Sequence, residues 1–475
     1  MTPQLIVGDE AASEANIGPR TRWRGEKSPV ALPSWDNPAK TSRGHAPNVG
    51  KIGNAADMNP PIGAHAASDI DGAYAWRRLA ISTLLSTLGG VGMWAVVVVL
   101  PVVQAEFGVD RGDASLPYTL TMIGFALGNL VVGRFIDRFG FMWPGIIAAV
   151  VMGFGFILAA LTTSVTQFAL IQGVLIGAGS SATFGPLIAD ISHWFDRRRG
   201  VAVGVAASGN YIAGAIWPIG MQGFIISDGW RATYIGIGII CIAAMVPLLL
   251  LLRRRPPEHG HGHAQGAPSR ARVQPITISP PVLQALLVIA GVACCVAMSM
   301  PQVHIVAYCM DLGYGGARGA EMLSLMLAAG IVSRLGSGFL ADRIGGIKTL
   351  LIGSVLQGLA LLFYIPFDGL ASLYVVSFIF GLSQGGIVPC YAIIVREYMP
   401  AAEAGRRVGV VVMATVAGMA LGGWMSGWIY DLTGSYAAAF LNGIAWNLLN
   451  VSVMVFLLWR SRGFVRHDPR KWEPV

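Results

Sequence analysis

The residue in this chain best suited to chemistry is an arginine inside an apolar run. Arg334 lies in GIVSRLGSGFLADRIG, eight residues before Asp342. On a helix that spacing is ~12 Å, at ~1.5 Å per residue. If the run crosses a bilayer, Arg334 stands near its centre. A guanidinium there costs at least ~2.5 kcal/mol, so it needs a polar cavity and a partner. Its planar fork suits a carboxylate, which it binds through two parallel hydrogen bonds. Two readings fit Arg334. It binds an organic anion as substrate, or it is structural, bonded to helix carbonyls or snorkelling to the surface.

Other polar groups fall in similar runs. His304 follows Pro301, which should kink its helix, and Tyr308 lies one turn further on the same face. The histidine could accept a proton or donate to a substrate oxygen, or it could tie helices together. Asn129, Trp94, Tyr211, Gln384 and Tyr391 complete the candidate substrate-binding set. Aromatic walls with few polar groups suit small ligands, although such residues also serve as packing glue, as Gln302 and Asn210 do on that reading. No catalytic constellation or phosphate-binding loop occurs in a fitting context, so neither an enzyme nor an ATP-driven pump is expected. No cofactor and no metal is expected either. The five cysteines (Cys241, Cys294, Cys295, Cys309, Cys390) sit in apolar runs and read as core residues. His259, His261 and His263 alternate in a polar stretch, a pattern that can bind a metal but is more often incidental.

The elements that carry these residues are long apolar helices. The chain is 54% hydrophobic and 12% charged, about half the charge of a typical soluble protein. Runs of roughly 20 apolar residues span a bilayer. Spans are predicted near 79–105, 114–136, 142–162, 166–193, 201–226 and 231–252. A second set follows near 282–310, 319–341, 347–367, 370–395, 407–430 and 435–459. The fold class is therefore an all-α membrane protein with twelve transmembrane helices in two six-helix bundles. The expected domains are a disordered polar tail (1–73), a first bundle (74–252), a hydrophilic linker (253–280), a second bundle (281–459) and a basic tail (460–475).

Arginines and lysines crowd one side of this layout. Arg77, Arg78, Arg134, Arg138, Arg197 to Arg199, Arg253 to Arg255, Arg343, Lys348, Arg396, Arg406 and Arg407 share it with the basic tail. The opposite side carries Arg111, Arg231 and Arg318. The rich side should face the cytoplasm, with both termini and the linker inside. This distribution also explains the net charge of +8 without a nucleic-acid partner.

The two halves repeat. GRFIDRFG (Gly133 to Gly140) returns as GFLADRIG (Gly338 to Gly345), 205 residues later. Gly209 and Gly214 are echoed by Gly418 and Gly423, as small residues at helix contacts would be. At the 205-residue offset, Arg334 corresponds to Asn129, so a central cavity should be polar on both sides and charged on one.

With its twelve spans and repeated turn, the chain resembles the major facilitator superfamily over roughly residues 75 to 460. That family's signature is G-x-x-x-D-R-x-G between spans 2 and 3, echoed between spans 8 and 9. The resemblance implies a rocking, two-bundle secondary transporter in which Asp137, Arg138, Asp342 and Arg343 form the cytoplasmic gate. The segments around Arg334, His193 to Gly209, and Gly385 to Pro389 are also similar to the monocarboxylate transporters and oxalate:formate antiporters. In that branch an arginine at the position of Arg334 binds the substrate carboxylate. This chain departs from the branch at three places. Gly330 stands where the monocarboxylate transporters carry an aspartate, and Trp94 where they carry a lysine. No Lys or Arg lies between Arg407 and Arg460, where the antiporters carry a lysine. The implied function is transport of a small organic anion, a monocarboxylate before a dicarboxylate, by proton symport or exchange for a counter-anion. Efflux of drugs or amphiphiles, or a non-transporting sensor, is the alternative. The compact loops and the branch point to a bacterial inner membrane.

Overall fold

A computed structural model of the chain describes residues 70–254, 276, 278–400 and 403–465, with side chains as far as 461. The N-terminal tail, the linker with His259, His261 and His263, and the end of the basic tail lie outside the described residues.

Eleven described helices are long and apolar enough to cross a membrane. One of them counts twice. Arg199–Leu251 is a single run of 53 residues, ~80 Å long at ~1.5 Å per residue, against a bilayer core of ~30 Å. Gly229 breaks it with φ 82° and ψ 162°, a conformation that glycine adopts without steric cost. Gly434, 205 residues later, has φ 66° and separates the last two helices. The twelve spans are α1 (Ala73–Phe107), α2 (Arg111–Phe139), α3 (Met142–Ala159), α4 (Val165–Ser192), α5 (199–228), α6 (230–251), α7 (Pro280–Asp311), α8 (Gly316–Ile344), α9 (Gly346–Phe363), α10 (Leu370–Tyr398), α11 (Ala404–Thr433) and α12 (Tyr436–Val465).

The final glycine of each repeated turn, Gly140 and Gly345, has positive φ (79° and 85°). Each lets the chain leave one helix and enter the next within a residue or two, which is why both copies of the octapeptide end in glycine. The other repeated glycines mark close contacts. A Cβ on Gly209 would stand 2.5 Å from Ser86 of α1, and one on Gly418 would stand 2.5 Å from the Val292 carbonyl of α7. Gly214 faces Trp94 of α1 and Leu327 of α8, while Gly423 faces Val303 of α7 and Tyr118 of α2. The repeat thus holds α5 on α1 as it holds α11 on α7. It also seats each half against the other, α5 on α8 and α11 on α2. Lipid tails give no hydrophobic drive between helices, so this close approach is what packs them.

α1 and α7 are central. Val96 to Val99 and Cys294 to Met298 are all buried, so these runs are apolar on every face. α4 and α10 are broken at mid-length. α4 passes through a π-helical turn at Gln172–Gly177 and an irregular bend at Phe184. α10 stops at Gln384 and restarts at Ile387 after Gly385 and Gly386. Such breaks free backbone carbonyls at membrane depth, where only a buried or polar-lined site tolerates them.

Two ion pairs staple the first half. Arg78 of α1 grips Asp190 of α4 bidentately at 2.8 and 2.9 Å, and its guanidinium lies 4.7 Å from the Trp194 ring. Arg231 pairs with Glu106 at 2.6 Å, and Glu106 also accepts the Trp230 indole N–H. Outside the spans, the Asp71 carboxylate accepts the backbone N–H groups of Asp196 and Arg197. The Arg197 N–H above all holds its pKa below the usual carboxylate range.

A candidate anion site between the halves

Arg334 projects from α8 toward α5 and α10. Its Nη1 donates to the Ala207 carbonyl at 3.1 Å, and its Nε to the Gly385 carbonyl at 3.4 Å. The second acceptor exists because α10 is broken at that point. The guanidinium carbon lies over the Tyr211 ring, 4.6 Å from its centre, a cation–π distance. These two bonds engage two of five N–H groups, and among the described residues no carboxylate pairs with Arg334. The arginine is partly buried and has donors to spare.

The Tyr211 ring also rests on Gly330, one turn before Arg334 on α8. A Cβ on Gly330 would meet ring carbons at 2.5 and 2.7 Å, so the tyrosine fills the space where a side chain at 330 would lie. Trp94 joins the group from α1, its indole N–H donating to the Asn210 carbonyl at 3.1 Å. Gln384, the residue before Gly385, accepts a 2.6 Å bond from Gln302 of α7. Both amides are buried, and the Gln302 oxygen and Gln384 nitrogen lack partners among the described residues. Arg334 thus touches Tyr211, Trp94 bonds the residue before Tyr211, and the Gln302–Gln384 pair lies next to the Gly385 carbonyl, where α1, α5, α7, α8 and α10 converge.

The structure sends the other predicted residues elsewhere. His304 is fully buried near the arginine-poor end, with Nδ1 3.2 Å from the Tyr436 hydroxyl and Nε2 2.8 Å from the Gly423 carbonyl. Tyr308 packs its ring on Tyr436 and Phe440. The pair does share a face, but that face turns to α11 and α12. Asn129 donates to its own helix at Phe125 and packs against Gly185 of α4. Tyr391 donates to Asn450, which in turn donates to Ser354, so its hydroxyl is committed within the second half.

His304 belongs to a lock that joins the halves. Arg111, the first residue of α2, pairs with Asp311 at the end of α7 at 2.9 Å and donates to the Tyr436 hydroxyl at 2.5 Å. The Asp431 carboxylate of α11 accepts the backbone N–H groups of Arg111 and Gly112 at 2.8 and 2.6 Å. It satisfies donors that the start of α2 leaves open, at the positive end of that helix. Thr119 of α2 then bonds the Ala420 carbonyl of α11 deeper in.

At the arginine-rich end the picture reverses. Asp137, Arg138, Asp342 and Arg343 are exposed, and no ion pair involves them among the described residues. Phe135 and Phe139 of α2, Val201 of α5 and Phe339 of α8 are exposed there too. The halves are tied together at the arginine-poor end, while at the other the charges of both signature turns stand exposed and without an ion pair among the described residues.

The sequence profile of the Major Facilitator Superfamily matches residues 82–370 and 321–474. This chain belongs to the Major Facilitator Superfamily. It is an integral, multi-pass membrane protein whose named relatives are transporters, not enzymes. Monocarboxylate transporter 13 of Bos taurus is 26% identical over 400 residues, covering 83% of this chain and 92% of that protein. The agnestins efflux protein AgnL12 of Paecilomyces divaricatus is 24% identical over 367 residues, 76% of this chain and 82% of that one. A crystal structure of a bacterial homologue of the human lysosomal transporter Spinster superposes with a TM-score of 0.63 at 16% identity. That match covers 85% of this chain and 99% of that one.

Within this superfamily fold, the second copy of the signature turn has a partner that the octapeptide does not reveal. Glu397, at the end of α10, accepts the Gly346 backbone N–H at 3.1 and 3.2 Å. The carboxylate sits on the positive end of α9 and ties the turn to α10. Sequence reading passed over Arg111, Asp311, Asp431 and Tyr436. Charged residues at the ends of spans are ordinary, and their pairing crosses 200 residues or more. The one signal was Arg111 itself, one of three arginines on the poor side.

Proposed function

We propose that this chain is a secondary transporter of small organic anions, with a monocarboxylate as substrate, working by alternating access. The observation that carries the proposal is Arg334, a guanidinium between the two halves that bonds two carbonyls and, among the described residues, pairs with no carboxylate. In a low-dielectric cavity such a group is stabilised by an anion that can take two parallel hydrogen bonds. Tyr211 and Trp94 supply apolar walls for a short carbon chain. The bovine relative, by its name a monocarboxylate transporter, agrees with this choice.

Exchange is favoured over proton symport. Tyr211 fills the space beside Gly330, and among the described residues no acid pairs with Arg334 to carry a proton. If the cavity closed without substrate, the guanidinium would be occluded without its counter-charge, which is costly. Return with a second anion avoids that state. A single guanidinium at the site suits a monoanion better than a dianion. The arginine-rich end faces the cytoplasm of an inner or plasma membrane, so the tied end is the outer one and the signature turns lie at the cytoplasmic gate.

Efflux of a larger amphiphile is the second reading. It is favoured by the efflux relative and by the two backbone carbonyls that already hold Arg334. Uptake of labelled carboxylates into reconstituted vesicles separates the readings. Transport by the natural chain that needs an anion inside the vesicle, and that Arg334→Ala abolishes, supports exchange. Unchanged transport by Arg334→Ala refutes the arginine site. Acceleration by a proton gradient without internal anion replaces exchange with symport. Binding without flux makes the chain a sensor.

A further inference from the structure

A cavity of about 340 Å³ opens at the arginine-poor end, between α1 and α7. Its walls mix apolar and polar surface, with Pro101, Val109 and Met310 on the apolar side. Its polar groups are Gln104 and the Arg111–Asp311 pair. The size falls in the range of small-ligand sites.

The two partners of that ion pair are unequal. The Arg111 side chain is 9% exposed and the Asp311 side chain 31%. Arg111 is fixed on several sides, with its guanidinium 4.5 Å from the Tyr430 ring and 5.6 Å from that of Tyr436. Its Nε is buried and has no hydrogen-bond partner among the described residues. Asp311 is the last residue of α7, where the helix dipole is negative and disfavours a carboxylate. The cation therefore cannot leave, while its acid can turn into water.

We propose that this cavity is a second anion site, in which a small carboxylate from the outer side takes the place of Asp311 on Arg111. The inference rests on the carboxylate reading and extends it to a separate station. The pair joins α2 to α7 across the two halves, so replacing Asp311 with a free anion removes one tie of the outer closure. Binding there helps to open the path to Arg334. Asp431 stays on the α2 backbone and keeps the station assembled.

The test measures binding to the purified full chain by thermal-shift titration with pyruvate, acetate and benzoate. On the Arg334→Ala background, saturable stabilisation by at least one acid is expected to persist. Adding Asp311→Asn removes the competing charge and should lower the half-saturating concentration roughly five-fold, the scale of a partly exposed ion pair. Adding Arg111→Gln should abolish the response. Where that variant does not fold, Asp311→Asn decides, and an unchanged midpoint overturns the proposal. If the natural chain is stabilised and Arg334→Ala is not, the outer site is refuted and the central one stands. If no acid stabilises the natural chain, both fall.

Discussion

Replacing Gly330 with alanine tests how Tyr211 and Arg334 are held. The new Cβ would lie 2.5 and 2.7 Å from two carbons of the Tyr211 ring. Ordinary contact is ~3.5–4 Å, so the ring must retreat by about 1 Å. It cannot do so freely, because it is 8% exposed and its face carries the Arg334 guanidinium at 4.6 Å. Overpacking of this kind costs ~1–3 kcal/mol. Against it stands the helix preference for alanine over glycine, up to ~1 kcal/mol. The net expectation is a loss of up to ~2 kcal/mol on the natural background. On a Tyr211→Ala background the ring is gone and the propensity gain remains, so the same substitution should be neutral or stabilising. The difference is a coupling energy of ~1–3 kcal/mol, well inside what double-mutant cycles resolve. Thermal unfolding of the four purified proteins measures it. An equal change on both backgrounds would sink the claim that Tyr211 occupies the space beside Gly330, and with it the argument against a proton-carrying acid.

Two further predictions concern the charged staples. Asp431→Ala leaves the N–H groups of Arg111 and Gly112 without their acceptor. Loss of a helix cap costs ~1 kcal/mol, so the outer closure should open about five-fold more often. The readout is the labelling rate of Ser115→Cys, placed at a fully buried position, by an impermeant thiol reagent from the arginine-poor side. The natural cysteines are all buried and give a low background. Asp190→Ala strands the buried Arg78 guanidinium and should destabilise the chain by ~3–5 kcal/mol, whereas Arg78→Met with Asp190→Leu should recover most of that loss. Comparable unfolding midpoints for the single and double variants would contradict this account of the pair.

The features legible in the sequence were those with a local signature. Apolar length set the twelve spans, including the division at Gly229 that helical hydrogen bonding alone runs through. The repeated octapeptide gave the register between the halves, and an arginine in an apolar run announced itself. Faces were harder to read. In a helix that is apolar all round, periodicity does not say which neighbour a residue meets. His304 and Tyr308 were rightly placed on one face, but that face meets α11 and α12, not the α5 surface beside Arg334. Tyr391 and Asn129 turned to partners in their own halves for the same reason. The glycine at 330 looked like a missing acid. Only the packing reveals an aromatic ring, 119 residues earlier in the chain, resting in its place.

The bonds that hold Arg334 come from main-chain oxygens, those of Ala207 and Gly385. A side-chain acceptor can be lost to a single codon change, but a carbonyl of the backbone survives almost any replacement at its residue. Mutation therefore finds it hard to dislodge this charge while the helices keep their course. It can rewrite the neighbours, Trp94, Tyr211 and Gln384, one at a time. A lineage built on this scaffold can explore new ligands without first losing the cation that greets them.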